Sequence, residues 1–175
     1  MTVYTKDYTE RLFTLEDTAF CLTIMESLEL DNLLLQLQEQ YPQAIIRRIR
    51  GHKSTTVRDF FNEIGAALQF PLCFSETWDA FTGYITDLSW LAGQAHILLI
   101  SDAAALLSAE NNLQFEILAR NFCEVNNQCV PTGKSSNTQD QFPPFRVLLQ
   151  TPPNQQLIQK LVQRLDNVQI SFAFF

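Results

Sequence analysis

Three short apolar runs, QAIIRRIRG, AHILLIS and FRVLLQ, are separated by stretches whose apolar residues recur at helical spacing, and this alternation restricts the chain to few folds. Between the first two runs, Val57, Phe60, Phe61, Ile64 and Leu68 fall at i, i+3, i+4, i+7 and i+11, one stripe of a helix facing a core. Thr55 or Thr56 can cap its first amides and Pro71 stops it. Before FRVLLQ, the stretch LQFEILARNFCEV places Phe115, Leu118, Phe122 and Val125 on one helical face. Strands separated by helices pair in parallel through right-handed crossovers. The expected fold is α/β, a small, mainly parallel sheet flanked by helices and elaborated at both ends.

The remaining elements follow from the same reasoning. TERLFTLEDTAFCLTI reads as two short strands around a Glu-Asp turn, and LELDNLLLQLQEQYP as a helix with Leu30, Leu33, Leu34 and Leu37 inward, ended by Pro42. DAAALLSA reads as a short helix capped by Ser101 or Asp102, and NNQCVPTGKSSNTQDQFPP as an exposed loop. NQQLIQKLVQRL is a helix, and VQISFAFF a strand with Val168, Ile170, Phe172 and Phe174 on one face.

The stretch FPLCFSETWDAFTGY, residues 70–84, raises the functional question. With Thr77 as cap, Trp78, Phe81, Ile85 and Leu88 would face the core, while Asp79, Gly83 and Asp87 would line a solvent face. Asp79 in the first turn also suits the helix dipole, worth about 0.3–1 kcal/mol, which is a purely structural reason for an aspartate there.

Charge narrows the partners. The 175 residues carry a formal net charge of −7 with a pI near 4.7, which argues against direct binding to nucleic acid or to an anionic membrane surface. Residues 70–116 contain Glu76, Asp79, Asp87, Asp102, Glu110 and Glu116 and neither lysine nor arginine. A basic protein is the favoured partner. Arg47, Arg48, Arg50 and Lys53 form a small basic patch expected to pair with neighbouring carboxylates. No signal-peptide pattern opens the sequence and no apolar run is long enough to span a bilayer, so a cytoplasmic chain is expected, with Cys21, Cys73, Cys123 and Cys129 reduced.

The strand ending in Gly51, the helix running to LQFP, and then LCFSETWDAF closely resemble the barstar family, with Leu68, Pro71, Phe74, Glu76, Trp78, Asp79, Ala80 and Phe81 at matching positions. The resemblance covers residues 44–150 and leaves residues 1–43 as an N-terminal extension packed on the core and 151–175 as a helix and strand extending the sheet. It implies an intracellular inhibitor or immunity protein that blocks the basic groove of a ribonuclease-type toxin, its carboxylates standing where RNA phosphates would lie. Asp79 falls on one of the family's two ribonuclease-facing aspartates and Phe74 on an aromatic of the binding loop. Three positions depart from the pattern: the second aspartate is Gly83, the tryptophan before it Thr82, and the neighbouring loop tyrosine Cys73. Glycine within a helix costs about 1 kcal/mol against alanine, so Gly83 either permits a partner's close approach or relieves crowding in the core. The partner-binding set implied is Cys73, Phe74, Glu76, Asp79, Thr82, Gly83 and Asp87.

Two other readings compete. The first is a regulatory or interaction module that kept the frame but does not inhibit a nuclease; an edge offered by QISFAFF would suit it. The second is an enzyme, with Cys73 as nucleophile and His52 or His96 as base, but no spacing ties either histidine to the cysteine. Cys73 reads better as a small packing residue, His96 as a satisfied strand-end group and His52 as a turn residue. Glu76 and Asp79 are spaced like an acid and base, yet nothing supplies a sugar cleft. No metal-ligand spacing and no phosphate-cradling glycine loop is present, so no catalytic residue, metal or cofactor is assigned.

Overall fold

The computed structural model describes Leu12, residues 18–129 and residues 145–175. Five parallel strands form one sheet: β1 (Phe20–Ile24), β2 (Ala44–Arg50), β3 (Ala95–Ser101), β4 (Phe145–Thr151) and β5 (Phe172–Phe174), in the order β2-β3-β4-β1-β5. The helices are α1 (Ser27–Gln40), α2 (Val57–Ala67), α3 (Trp78–Thr86), α4 (Asn112–Cys129) and α5 (Gln155–Asn167). The expected α/β class with a parallel sheet is what the chain forms.

Period-two alternation divides the strand side chains between two cores. Cys21, Ile46, Ile97, Leu99 and Leu148 meet Leu30, Leu33 and Leu37 of α1 on one face. Phe20, Leu22, Ile49, Leu98, Ile100, Val147 and Leu149 meet α2, α3, α4 and α5 on the other. β3 and β4 are buried along their whole length, which is why Ile97–Ile100 and Val147–Leu149 read as short continuous apolar runs.

The helix ends show where local sequence and fold part. Thr56 caps α2 as expected, its Oγ1 accepting the Asp59 amide at 3.2 Å. Glu110, from beyond β3, accepts the Val57 amide at 3.0 Å and so secures the same end. α2 then stops before Pro71 is reached: Gln69 turns left-handed at φ 54° and the Phe70 amide donates to the Gly65 carbonyl at 2.8 Å. α5 closes in the same manner, with Gln169 at φ 56° and the Ile170 amide bonded to Leu165 at 3.1 Å. Val168 and Ile170 are therefore part of a helix end, and the strand expected over residues 168–175 is confined to Phe172–Phe174, paired with β1.

Three further expectations are corrected. DAAALLSA holds only a 3₁₀ turn over Ala103–Ala105, because Asp102 (φ 51°) and Leu107 (φ 50°) are left-handed; neither Asp102 nor Ser101 caps a helix there. α4 runs to Cys129, past the expected end at Val125, and the rest of the loop through residue 144 lies outside the described residues. Of the first N-terminal strand only Leu12 is described, and it is helical and fully buried. The basic patch does pair: Arg48 with Asp31 at 3.0 Å, and Arg50 with Glu63 in a bidentate contact at 2.7 and 2.9 Å. Gly51 is required where β2 and β3 end together, since a Cβ there would lie 2.5 Å from the Asp102 carbonyl oxygen.

His96, the second residue of β3, is buried, with its Nε2–H donating to the Leu91 carbonyl at 2.9 Å. Burial, aided by nearby Arg47, holds its pKa below the usual 6.5 despite that bond. Above pH 6.5 folded and unfolded chains both carry neutral imidazole; below it only the unfolded chain takes up the proton, so stability falls as pH drops toward the folded value. Chemical unfolding at pH 7.5 and 5.5 should show a larger loss for the native chain than for His96→Gln; equal losses would remove His96 from the acid response.

Candidate partner-binding site

After Gln69 reverses the chain, residues 70–77 cross the end of α2 as a loop laid on aromatic rings. Phe74 packs edge-on to Phe61 and Phe70, with centroids at 5.6 and 4.9 Å, and to Tyr84 at 5.8 Å, so the ring is half-buried. Leu72 and Cys73, on either side of the loop's crest, are exposed. Leu72 stands clear of the protein altogether. The expectation that Cys73 packs as a small apolar residue is not met: its Sγ lies 3.2 Å from the Tyr84 hydroxyl at the surface, and this hydrogen bond, with a smaller effect of burial, raises the Tyr84 pKa.

Glu76 is exposed and left-handed at φ 52°, a conformation that strains a non-glycine residue and turns the chain into α3. Thr77 then caps α3 as expected, its Oγ1 accepting the Ala80 amide at 3.3 Å. Trp78 packs on Phe60 and Phe61 and donates its indole N–H to Gln114 Oε1 of α4 at 2.7 Å. Phe81 and Ile85 are fully buried, and Leu88, just beyond the helix, packs partly buried on the same core. Asp79, Gly83 and Asp87 are exposed on the opposite side.

Charge on this face is uncompensated. Among the described residues neither Glu76, Asp79 nor Asp87 has a cation within ion-pairing distance. The Asp87 carboxylate accepts the Ser89 amide at 3.2 Å, whereas those of Asp79 and Glu76 are exposed and take no hydrogen bond among the described residues. Thr82 is turned the other way: half-buried, its hydroxyl lies against the Trp78 carbonyl at 2.8 Å and Asn121 Oδ1 of α4. A Cβ on Gly83 would meet nothing within 4 Å, which removes core crowding as the reason for glycine. Gly83→Ala should therefore raise stability by up to about 1 kcal/mol through helix propensity alone, read as a higher urea midpoint; a destabilised variant would contradict the open space.

Leu72 and Tyr84 escape sequence reasoning. An exposed leucine carries no pattern, and the Cys73–Tyr84 contact joins a loop residue to a helix residue that no spacing in the sequence links. The residues proposed for other chemistry are dispersed. His52 Nδ1–H donates to Asp102 Oδ2 at 2.7 Å at the ends of β2 and β3, and His96 bonds to the Leu91 carbonyl in the turn ahead of β3. No group of three or more metal-capable side chains forms among the described residues.

Open parallel sheets take ligands where strand connections diverge, here outside the carboxyl ends of β1 and β4. That crevice is filled. Gln150 donates to the Met25 carbonyl at 2.6 Å and accepts the Asp102 amide at 3.0 Å, while the Met25 amide bonds to Thr151 at 3.1 Å. At the start of α1 the Glu29 carboxylate accepts the Glu26 amide at 3.2 Å, so the helix N-terminus already holds a negative charge.

Comparison with known proteins gives two kinds of likeness. A family model described as Barstar (barnase inhibitor) matches residues 44–150. No curated protein matches the chain. Among solved structures, the Aeropyrum pernix ORC2 protein (ADPNP-ADP complexes) aligns with a TM-score of 0.64 at 11% identity, over 97% of this chain and 44% of that one. Cdc6p from Pyrobaculum aerophilum aligns at 0.55 and 15% identity, over 95% and 41%. The Walker-type ATPase paby2304 of Pyrococcus abyssi aligns at 0.54 and 12%, over 94% and 49%. Such identities show a shared fold alone, and this chain spans less than half the length of each of these three. Among the described residues no helix is long and apolar enough to cross a membrane. By a match that takes in more than half of its residues, the chain belongs to the barstar family.

Proposed function

We propose that this protein inhibits a basic ribonuclease-type partner, acting inside the cell that makes it, by laying the loop and helix of residues 72–87 over the partner's active-site groove. The observation that carries this reading is the exposed, unpaired set of Glu76, Asp79 and Asp87 on a stretch, residues 70–116, without a single lysine or arginine. Carboxylates set along and at both ends of a short helix mimic a run of phosphates, and a uniform negative field draws in a cationic partner before contact. Asp79 is the central contact, with Phe74, Cys73 and Leu72 at the loop end and Gly83 giving the partner's backbone room to approach.

A second reading has its own support. Gly83 removes a carboxylate, Thr82 is turned inward and Cys73 replaces a ring, so the face presents a different contact set from the family's. That favours a ribonuclease other than barnase, or a regulatory partner that is not a nuclease. The nucleotides of the Aeropyrum pernix ORC2 complexes have no counterpart site here, because Gln150 fills the crevice where the strand connections diverge.

Inhibition assays separate these readings. The chain should stop RNA cleavage by a cognate basic ribonuclease at equimolar amounts, and Gly83→Asp should improve its inhibition of barnase. If the chain neither slows any basic ribonuclease encoded alongside it nor gains activity on barnase with Gly83→Asp, the inhibitor reading fails and the non-inhibitory module stands.

A further inference from the structure

A cavity of about 280 Å³ lies on another part of the molecule, between the loop that follows β3 and the outer face of α5. Arg164 and Lys160, one turn apart on α5, line it together with Glu110, Ser108, Asn112 and Asn167. We propose that this cavity binds the phosphate group of a small molecule, with Arg164 and Lys160 as its cationic anchors.

Arg164 is held from two sides. Its guanidinium lies 4.0 Å over the Phe115 ring and gives Nη1–H to the Leu106 carbonyl at 2.6 Å, with Nη2 3.5 Å from that of Leu107. A guanidinium has five N–H donors, and these contacts use two. No carboxylate lies within ion-pairing distance of it among the described residues. Partial burial lowers its pKa to about 10, as expected of a cation that has lost some of its water without gaining a counter-charge.

The surroundings supply what an oxyanion needs. Lys160 has no carboxylate partner among the described residues and adds a second positive charge at the rim. Glu110 contributes one carboxylate, but its Oε1 is occupied by the Val57 amide at 3.0 Å. Two cations against one carboxylate, in a chain of net charge −7, make the cavity locally positive. Ser108, Asn112 and Asn167 bring hydroxyl and amide donors. Leu107, which also lines the cavity, is held left-handed at φ 50°, and bulky residues in that region concentrate at ligand clamps. The volume falls just below the range of small-molecule sites, about 300–1,000 Å³, so the ligand is a free phosphate or a small monoester and not a nucleotide.

Isothermal titration of the full chain with inorganic phosphate and with glycerol phosphate, at ionic strength matched with sodium chloride, tests this. Saturable binding is expected for the native chain. Lys160→Gln, at an exposed position, should weaken it about tenfold, in line with the loss of one charge-assisted hydrogen bond. Arg164→Gln should abolish it, and Arg164→Lys should restore part. Arg47→Gln, in the separate basic patch, should leave binding unchanged. Tighter binding of glycerol phosphate assigns the site to monoesters and equal binding to free phosphate. Absence of saturable binding, an unaltered affinity in Lys160→Gln, or a preference for succinate over both phosphates would overturn the proposal. Should the Arg164 variants fail to fold, Lys160→Gln decides alone.

Discussion

Asp79→Arg is expected to weaken binding of a basic ribonuclease at least about a hundredfold, which is about 2.7 kcal/mol, while leaving the fold intact. Two effects add. The exposed carboxylate loses its attraction for the cationic groove, and the new guanidinium places like charges face to face, which costs several kcal/mol at an interface. Barnase and barstar are themselves the pair in which such coupling was measured, so the magnitude is borrowed from them. Stability should change little, because Asp79 is exposed and makes no ion pair among the described residues. Its one structural service is in the first turn of α3, where a positive charge opposes the dipole by about 0.3–1 kcal/mol. Surface plasmon resonance at low and moderate salt checks this: the native association rate should fall as salt screens the acidic face, and the variant's should be slow at both. Should the native chain and the variant hold the same partner equally well, the acidic helix is not the contact, and the altered face serves another use.

The sequence discloses the parts of this molecule governed by short-range rules and conceals those governed by distant ones. β3 and β4 are legible because a strand buried on both faces is a continuous apolar run, and α2 because its stripe and the Thr56 cap are local. The orientation of α3 was legible for the same reason: Phe81 and Ile85 inward, Asp79, Gly83 and Asp87 outward. The left-handed turns at Gln69 and Gln169 carry no glycine to announce them, and the second leaves only Phe172–Phe174 of the expected last strand. Sheet order is another matter. That β1 lies between β4 and β5 depends on pairing between residues more than a hundred positions apart, and no periodicity records it. At the candidate site, the supports of α3 come from Gln114 and Asn121 on α4, which tie down Trp78 and Thr82 across 36 and 39 residues. Thr82 illustrates the limit: periodicity alone does not show that its hydroxyl is bonded to a neighbouring helix.

Phe81→Ala should destabilise the chain by about 3–5 kcal/mol, the largest effect of any single truncation in this region. The ring is fully buried and meets five others, Phe60, Phe61, Phe70, Trp78 and Phe122, at centroid distances between 5.6 and 6.4 Å. These come from α2, the loop, α3 and α4, so the neighbours cannot close the void without moving a helix. Edge-to-face pairs add about 0.5–1.5 kcal/mol each beyond burial, though rings that share one cluster do not sum. Set against a total stability of about 5–15 kcal/mol, the loss brings the chain near its unfolding threshold, and urea midpoints at pH 7.5 would measure it. Binding offers a second check that separates scaffold from contact. Because Phe81 touches no solvent, the folded fraction of Phe81→Ala should bind its partner with near-native affinity, while Asp79→Arg does the reverse, folding normally and failing to bind. A stability loss under about 1 kcal/mol would mean that the aromatic cluster is not what fixes α3, and that the acidic face is held by its ties to α4 instead.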